Sequence, residues 1–258
     1  MLLGVAIQTT RPLHGGNLST VELVTLIDGR EIVAKHGPLV AREARMLKAI
    51  AKAEAPAPMV LGVAGQVLLM DALPQAPAST KGWTALARGL GKLHATHGDR
   101  YGWAEDYAFG HVTISNQPCA TWPEFWANHR LLPAGEKLPP ALMSRIEVLA
   151  KQLPERLPSH PPLALLHGDL WTGNALFTSN GAYFIDPACY FGHNEVDLAM
   201  LHLFGTPPAA FTDCYGPLEA DWQTRRAIYQ LWPALVHWRL FGAGYTPMVT
   251  GLLDQLGV

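Results

Sequence analysis

The sequence predicts an α+β protein of two lobes, a small β-rich N-terminal lobe with one helix and a larger, mainly helical C-terminal lobe. Three observations predict it. Short apolar runs with β alternation crowd the first third of the chain. Helical spacing dominates from Ser79 onward, and one compact strand-and-loop island, residues 163–189, interrupts the helices.

Composition bounds the function. Hydrophobic residues make up 49% of the 258 and charged ones 16%, against about 25% charge in ordinary soluble domains. There is apolar surface to bury, so disorder is excluded as the main state. Nineteen basic and twenty-one acidic residues give a net charge of -2, and no basic run argues for nucleic acid as a partner. The apolar run at 55–70 is broken by Pro56, Pro58 and Gln66, too short for a span of about 20 residues. No membrane association is expected. Met1 to Val5 lacks the basic region of a signal peptide. Cys119, Cys189 and Cys214 have neither metal-ligand spacing nor a disulfide pattern. A reducing, cytoplasmic setting fits.

In the first lobe, residues 18–26 and 31–35 read as strands, with Asp28-Gly29 as the tight hairpin turn between them. A helix is expected over 38–52, with Pro38 in the tolerated first turn. Residues 59–63 and 66–70 read as two further strands joined at Ala64-Gly65, and the Pro- and Ala-rich stretch 71–78 as a linker. The lobe boundary is placed there, between a small N-terminal lobe, 1–73, and a larger remainder, 74–258.

Ser79 or Thr80 can cap a helix that carries Trp83, Leu86, Leu90 and Leu93 on one face. Further helices are expected over 122–130, 140–157, 197–204, 219–241 and 247–256. Buried strands are expected at 163–166, 175–177 and 182–185.

Polar residues of the island sit at the ends of those strands: His167-Gly168-Asp169, then Asn174, then Asp186-Pro187. Any one of them could simply close a turn. Together they match the catalytic-loop pattern His-x-Asp-x-x-x-x-Asn followed by a hairpin and a metal-binding Asp. The charge of a nucleoside triphosphate explains the residue types. A carboxylate, Asp169, accepts the proton of the attacking hydroxyl. An amide oxygen and a second carboxylate, Asn174 and Asp186, suit Mg²⁺, which prefers oxygen ligands. His167 is expected to brace the loop.

On the first-lobe helix, Glu43 lies on the apolar stripe of Leu39, Met46, Leu47 and Ile50. A lone carboxylate there is costly unless paired. Lys35, at the end of the preceding strand, is the expected partner. A strand lysine held by a helix glutamate is how kinases anchor the α- and β-phosphates. The segment His14-Gly15-Gly16-Asn17 could lay backbone N–H groups over phosphates, although Gly-Gly-Asn is equally an ordinary turn. There is no Walker lysine motif and no dinucleotide fingerprint.

The strings Leu166-His167-Gly168-Asp169-Leu170-Trp171-Thr172-Gly173-Asn174, Ile185-Asp186-Pro187-Ala188-Cys189-Tyr190-Phe191-Gly192 and Glu195-Val196-Asp197-Leu198-Ala199-Met200 resemble the fructosamine kinase family. That family lies within the aminoglycoside-phosphotransferase-like, protein kinase-like fold. Tyr101-Gly102-Trp103, Trp122-Pro123-Glu124-Phe125 and Leu240-Phe241-Gly242 agree, so the resemblance spans nearly the whole chain. It implies ATP- and Mg²⁺-dependent phosphorylation of a ketosamine at the sugar 3-hydroxyl, in the repair of glycated amines. Asp169 would be the base, Asn174 and Asp186 the metal ligands, and Lys35 with Glu43 the phosphate anchor. The hinge that meets adenine would be Met70, Asp71, Ala72 and Leu73.

Two departures are visible. The Lys35-to-Glu43 interval is short for the family, and Val236-His237-Trp238-Arg239 replaces the Asn-His that usually precedes Leu-Phe-Gly. The second leaves the acceptor open. An aminoglycoside, choline or homoserine-type alcohol is the alternative, and His237 and Trp238 either touch a sugar or pack. A catalytically dead binding module is disfavoured because the whole polar set is present. A metal-dependent hydrolase is disfavoured because no His-x-His or His-Glu-x-x-His string occurs. Oligomeric state is not indicated.

Overall fold

The computed structural model describes residues 3–13 and 19–258. In chain order it begins with strands β1 (Ile7–Leu13), β2 (Thr20–Leu26) and β3 (Glu31–His36), then helix α1 (Val40–Lys52). Strands β4 (Val60–Ala64) and β5 (Val67–Asp71) lead into α2 (Thr80–His94). The hairpin β6 (Tyr107–Phe109) and β7 (Val112–Ile114) precedes α3 (Trp122–Trp126) and α4 (Pro140–Arg156). Next come four short strands: β8 (Ala164–Leu166), β9 (Ala175–Phe177), β10 (Ala182–Phe184) and β11 (Tyr190–Gly192). Helices α5 (Glu195–Leu201), α6 (Ala209–Tyr215), α7 (Trp222–Phe241) and α8 (Thr246–Leu256) complete the chain. The fold is α+β, as the sequence predicts.

Packing groups the chain into two compact units. The first comprises Met1–Leu93, Gly173–Ala188 and Pro208–Tyr215. Its antiparallel sheet has the order β1-β2-β3-β5-β4. The period-2 pleat sorts the side chains: Leu68 and Met70 bury against Val40, Ala44 and Leu47 of α1. Leu69 buries with Val24, Leu26, Ile32 and Ala34. At the β2–β3 turn Gly29 has φ +84°, and Asp28 Oδ1 accepts the Arg30 N–H at 3.1 Å. The β4–β5 turn falls at Gly65-Gln66, one residue later than expected, with Gly65 at φ +56°. Strand β1 is not foreseen by the sequence because nearly all its residues are exposed and no apolar alternation marks it.

Within this unit α2 is capped by Ser79, whose Oγ accepts the Gly82 N–H at 3.1 Å. Two glycines bring α2 close to its neighbours. A Cβ on Gly82 would lie 2.8 Å from Phe177, and one on Gly89 2.7 Å from Pro56. The β9–β10 hairpin is tied down twice more. Phe184 N–H donates to Pro56 O at 2.8 Å, and Phe177 O accepts from Ala76 N–H at 2.8 Å.

The second unit comprises His94–Thr172, Cys189–Pro207 and Gly216–Val258. Trp122 centres its core, stacked on Phe125 at 5.4 Å and donating from Nε1 to the Tyr229 hydroxyl at 2.9 Å. That hydroxyl lies 2.7 Å from Nδ1 of buried His193. The helix expected over 122–130 is α-helical only to Trp126 and continues as a π turn, Ala127–Leu131. The wider turn lets neighbouring Arg130 and Leu131 both bury completely. The charge of Asp106 acts on buried Arg130, whose direct partners are mostly backbone and rings. Arg130 donates to Ser115 O at 2.7 Å and Asn116 Oδ1 at 2.9 Å, and lies 4.3 Å over the Tyr190 ring.

Helix α5 starts two residues earlier than expected, and α7 starts at Trp222, after Asp221 in the left-handed conformation. Glu195 at the head of α5 takes both ends of the Arg225 fork, at 2.7 and 2.5 Å. The β6–β7 hairpin and α6 carry too few residues for a periodic signal. The three cysteines are free thiols. No helix among the described residues is long and apolar enough to cross a membrane.

Candidate active site

The first unit assembles Lys35, Glu43 and Asp186. Lys35 sits on the central strand β3, opposite Val21 of β2 and Leu68 of β5, so its backbone is held on both sides. Its ammonium donates to Glu43 Oε1 at 2.8 Å and Asp186 Oδ1 at 2.8 Å, with Glu43 Oε2 at 2.7 Å. The Lys35–Glu43 pair expected from the apolar stripe of α1 is formed. Side-chain exposure is 8% for Lys35 and 4% for Glu43, against 39% for Asp186. One cation is therefore shared between a buried carboxylate and a half-exposed one.

The electrostatics follow from that sharing. Burial disfavours the Lys35 ammonium, but the charges of Glu43 and Asp186 outweigh it and raise its pKa, so the amine stays charged. Burial pushes Glu43 up, opposed by Lys35 and reinforced by the neighbouring Asp186 charge. Asp186 adopts φ +55°, a left-handed conformation uncommon outside glycine. Such geometry concentrates where surrounding structure enforces it for function.

Asn174 closes the 3-10 turn Thr172–Asn174 and is buried. Its carbonyl accepts the Ile185 N–H at 3.1 Å, which brings it beside the residue before Asp186. Both expected metal ligands thus lie on the base of one hairpin. Their side chains offer an amide oxygen and a carboxylate, the donor types a hard divalent cation prefers. Lys35 engages only Oδ1 of Asp186.

At the end of β5, Met70 is buried. Both the N–H and the carboxylate of Asp71 serve Met59, so within the expected hinge the backbone beyond the strand is that of Ala72 and Leu73. Gly15, Gly16 and Asn17 lie outside the described residues.

The second unit holds the loop His167-Gly168-Asp169 after β8. Asp197, on α5 and fully buried, accepts from His167 N–H at 2.7 Å, from Gly168 N–H at 2.9 Å, and pairs with His94 Nε2 at 3.1 Å. Gly168 has φ +81°. His167 Nδ1 accepts the Asp169 N–H at 3.3 Å, so its ring does brace the loop, but Asp197 does more. Asp197 has no role in the sequence reading, although it stands in one of the strings that carry the family resemblance. Its acidic side chain on an otherwise apolar helix turn, Val196 to Leu201, is the signal that could have found it.

Two residues past Asp169, Trp171 is 41% exposed and opens a row of rings. Trp171 meets Phe204 edge-on at 6.1 Å, Phe204 meets His237 at 5.1 Å, and His237 meets Tyr245 at 5.1 Å. Trp238 packs against the core and donates to Thr246 Oγ1 at 3.0 Å.

The sequence profile of fructosamine kinases matches residues 5–257. The chain belongs to the fructosamine kinase family. This kinase is 32% identical to the "Probable ketoamine kinase" of Synechocystis sp., over 96% of its own length and 90% of the relative's. A solved structure from Thermobifida fusca, a candidate fructosamine-3-kinase, superposes with a TM-score of 0.91 at 30% identity, covering 98% of this chain and 95% of the other. A macrolide 2'-phosphotransferase from Brachybacterium faecium shares the fold, with a TM-score of 0.64 at 18% identity over 98% and 94% of the two chains. The protein is therefore a phosphotransferase enzyme on the kinase-like fold.

Proposed function

We propose that this kinase transfers the γ-phosphoryl group of ATP to the 3-hydroxyl of a ketosamine, a sugar carried on an amine after glycation. The observation that carries the reading is the buried Lys35 ammonium shared by Glu43 and Asp186. A structural ion pair needs one acid, whereas a phosphate anchor held next to a metal ligand needs this arrangement. The position of transfer is supported by the 3-kinase description of the Thermobifida fusca relative.

Each residue takes one role. Lys35, oriented by Glu43, holds the α- and β-phosphates. Asn174 and Asp186 would hold Mg²⁺, which when bound offsets charge on the phosphoryl oxygens. Asp169 accepts the proton of the sugar hydroxyl as its oxygen bonds to the γ-phosphorus and the bond to ADP breaks; the proton then passes to solvent. His167 and Asp197 fix the loop that presents Asp169. Met70, Asp71, Ala72 and Leu73 form the adenine hinge, and Gly15, Gly16 and Asn17 cover the phosphates. Residues 1–73 constitute the nucleotide-binding lobe and 74–258 the catalytic and substrate lobe. The row of rings from exposed Trp171 and Phe204 to half-buried His237 and Tyr245 receives the acceptor, since aromatic faces suit both a sugar and a cationic amine. The enzyme works in the cytoplasm, in keeping with its three free thiols, and serves deglycation.

The test is ATP turnover with Mg²⁺ on fructosyl-lysine, ribulosyl-lysine, an aminoglycoside and choline, with product mass and phosphate position read out. Phosphate on O3 of a ketosamine, lost in Asp169→Asn, is expected. Transfer only to another alcohol would overturn the acceptor while keeping the machinery.

A further inference from the structure

Within the second unit, the turn that follows α5, the first half of α7 and helix α8 line an open cavity of about 420 Å³. Its polar wall includes His202, Thr206, Arg226 and Gln230, and its apolar wall Leu203 and Met248. None of the described residues lining it is acidic. We propose that this cavity is a binding site for a small organic monoanion, a carboxylate with a short apolar arm, whose charge is met by Arg226.

The charge balance supports this. The neighbouring Arg225 is saturated by Glu195 and Glu219. No carboxylate among the described residues lies within ion-pair distance of Arg226, whose guanidinium rests 5.3 Å from the Trp222 ring. An arginine that borders a cavity, lies on an aromatic ring and lacks a carboxylate keeps its bidentate donor fork for an incoming anion.

His202 does not add a second charge. Its Nδ1 donates to Leu198 O at 2.8 Å, and its ring meets Trp222 at 5.2 Å. Burial lowers its pKa, the Leu198 carbonyl opposes that shift and the Arg226 charge reinforces it. Gln230 spends one amide N–H on Ala199 O at 3.1 Å and keeps the second as a neutral donor that adds no charge. One formal positive charge specifies a monoanion. The size lies within the range of small-molecule sites, about 300–1,000 Å³, and leaves room for an apolar arm against Leu203 and Met248.

The experiment uses the full chain labelled at the methionine methyl carbons, with the Met248 resonance identified through Met248→Leu. The probes are hexanoate, hexylammonium and inorganic phosphate, titrated without nucleotide so that the outcome is independent of the kinase reading. Hexanoate is expected to move the Met248 methyl saturably, and Arg226→Gln to weaken that binding about tenfold or more. The variant should keep its melting temperature, because the side chain has only a ring contact to lose. Hexylammonium binding as well as hexanoate, or hexanoate binding undiminished in Arg226→Gln, would overturn the charge assignment. Phosphate matching hexanoate would overturn the organic class, and no shift with any probe would overturn the site.

Discussion

The Asp197 carboxylate accepts the His167 N–H at 2.7 Å and the Gly168 N–H at 2.9 Å. A fully buried acid on α5 thereby fixes the backbone immediately before Asp169. The Asp197→Asn variant keeps the shape but replaces one acceptor oxygen with a donor that faces a backbone N–H, because the two N–H groups bond different oxygens. We expect kcat to fall by about 10²-fold, the typical cost of misplacing a reacting group, with KM for ATP little changed. Unfolding free energy should fall by about 1–3 kcal/mol. Steady-state kinetics and urea denaturation measure the two effects, and a normal kcat in a correctly folded variant would remove Asp197 from the positioning role.

Lys35 holds a buried ion pair with Glu43, and the proposed function gives it nucleotide binding as well. Lys35→Met strands Glu43, which is 4% exposed, and should destabilise by about 3–5 kcal/mol, the cost of leaving a buried charge unpaired. The sign with pH is definite. With its pKa already raised by burial and its cation gone, Glu43 takes up a proton in the folded variant. The variant is then least handicapped at acid pH and loses ground as pH rises above the usual glutamate value of 4.5. Denaturation of both proteins at several pH values tests this; parallel curves would argue against it. ATP affinity or turnover should drop as well, and near-normal activity would mean that another cation anchors the phosphates.

Asp169 and Asp186 should separate chemistry from binding. Asp169→Asn is expected to retain nucleotide binding and lose several orders of magnitude in turnover, since positioning and electrostatics supply most of the catalysis. Asp186→Ala is expected to abolish the Mg²⁺-dependent part of nucleotide binding, as read by calorimetry with and without a chelator. Unchanged affinity in that variant would refute the metal assignment.

His193 sets an acid limit on stability. Burial first, then the charges of Arg225 and His94, hold its pKa down at about 3, from the usual 6.5. The unfolded chain takes up this proton well before the folded one. Stability therefore falls as pH drops from 6.5 towards 3, by up to about 1.4 kcal/mol per pH unit. His193→Gln should flatten the slope in that window, which thermal melts at stepped pH would reveal. Identical slopes in the two proteins would show that other groups govern acid unfolding.

Gly102 should tolerate nothing larger. It has φ +94°, and a Cβ there would lie 2.3 Å from the Asn116 carbonyl oxygen. Its own N–H donates to Phe191 O at 3.0 Å, so the backbone cannot easily retreat. Gly102→Ala is expected to cost about 3 kcal/mol or more, visible as a large fall in melting temperature; a small fall would mean that the 115–117 segment moves aside.

Much of the site was legible because its signals are local or periodic. The spacing from Asp169 to Asn174 to Asp186 is a property of one loop and one hairpin. Glu43 announced its pairing by sitting on an apolar stripe, where a carboxylate without a partner costs too much. The left-handed backbone of Asp186 carried no mark, because a residue followed by proline is ordinarily extended. Strand β1 was illegible because both its faces are exposed, so no alternation could reveal it.

The sequence by itself determined the α+β class, the sheet and hairpin around Lys35, the capped helix after Ser79 and the polar set of a phosphotransferase, since each depends on short-range periodicity and residue chemistry. Tertiary structure decided that Asp197 would brace the loop 30 residues away and that Arg130 would lie buried among aromatic rings. It also decided that Trp171 would begin a row of rings ending at Tyr245, and that Arg226 would border a cavity while Arg225 next to it is neutralised. The physical reason is common to all four: a charge or a ring acquires its role from what packs against it, and those partners come from distant parts of the chain.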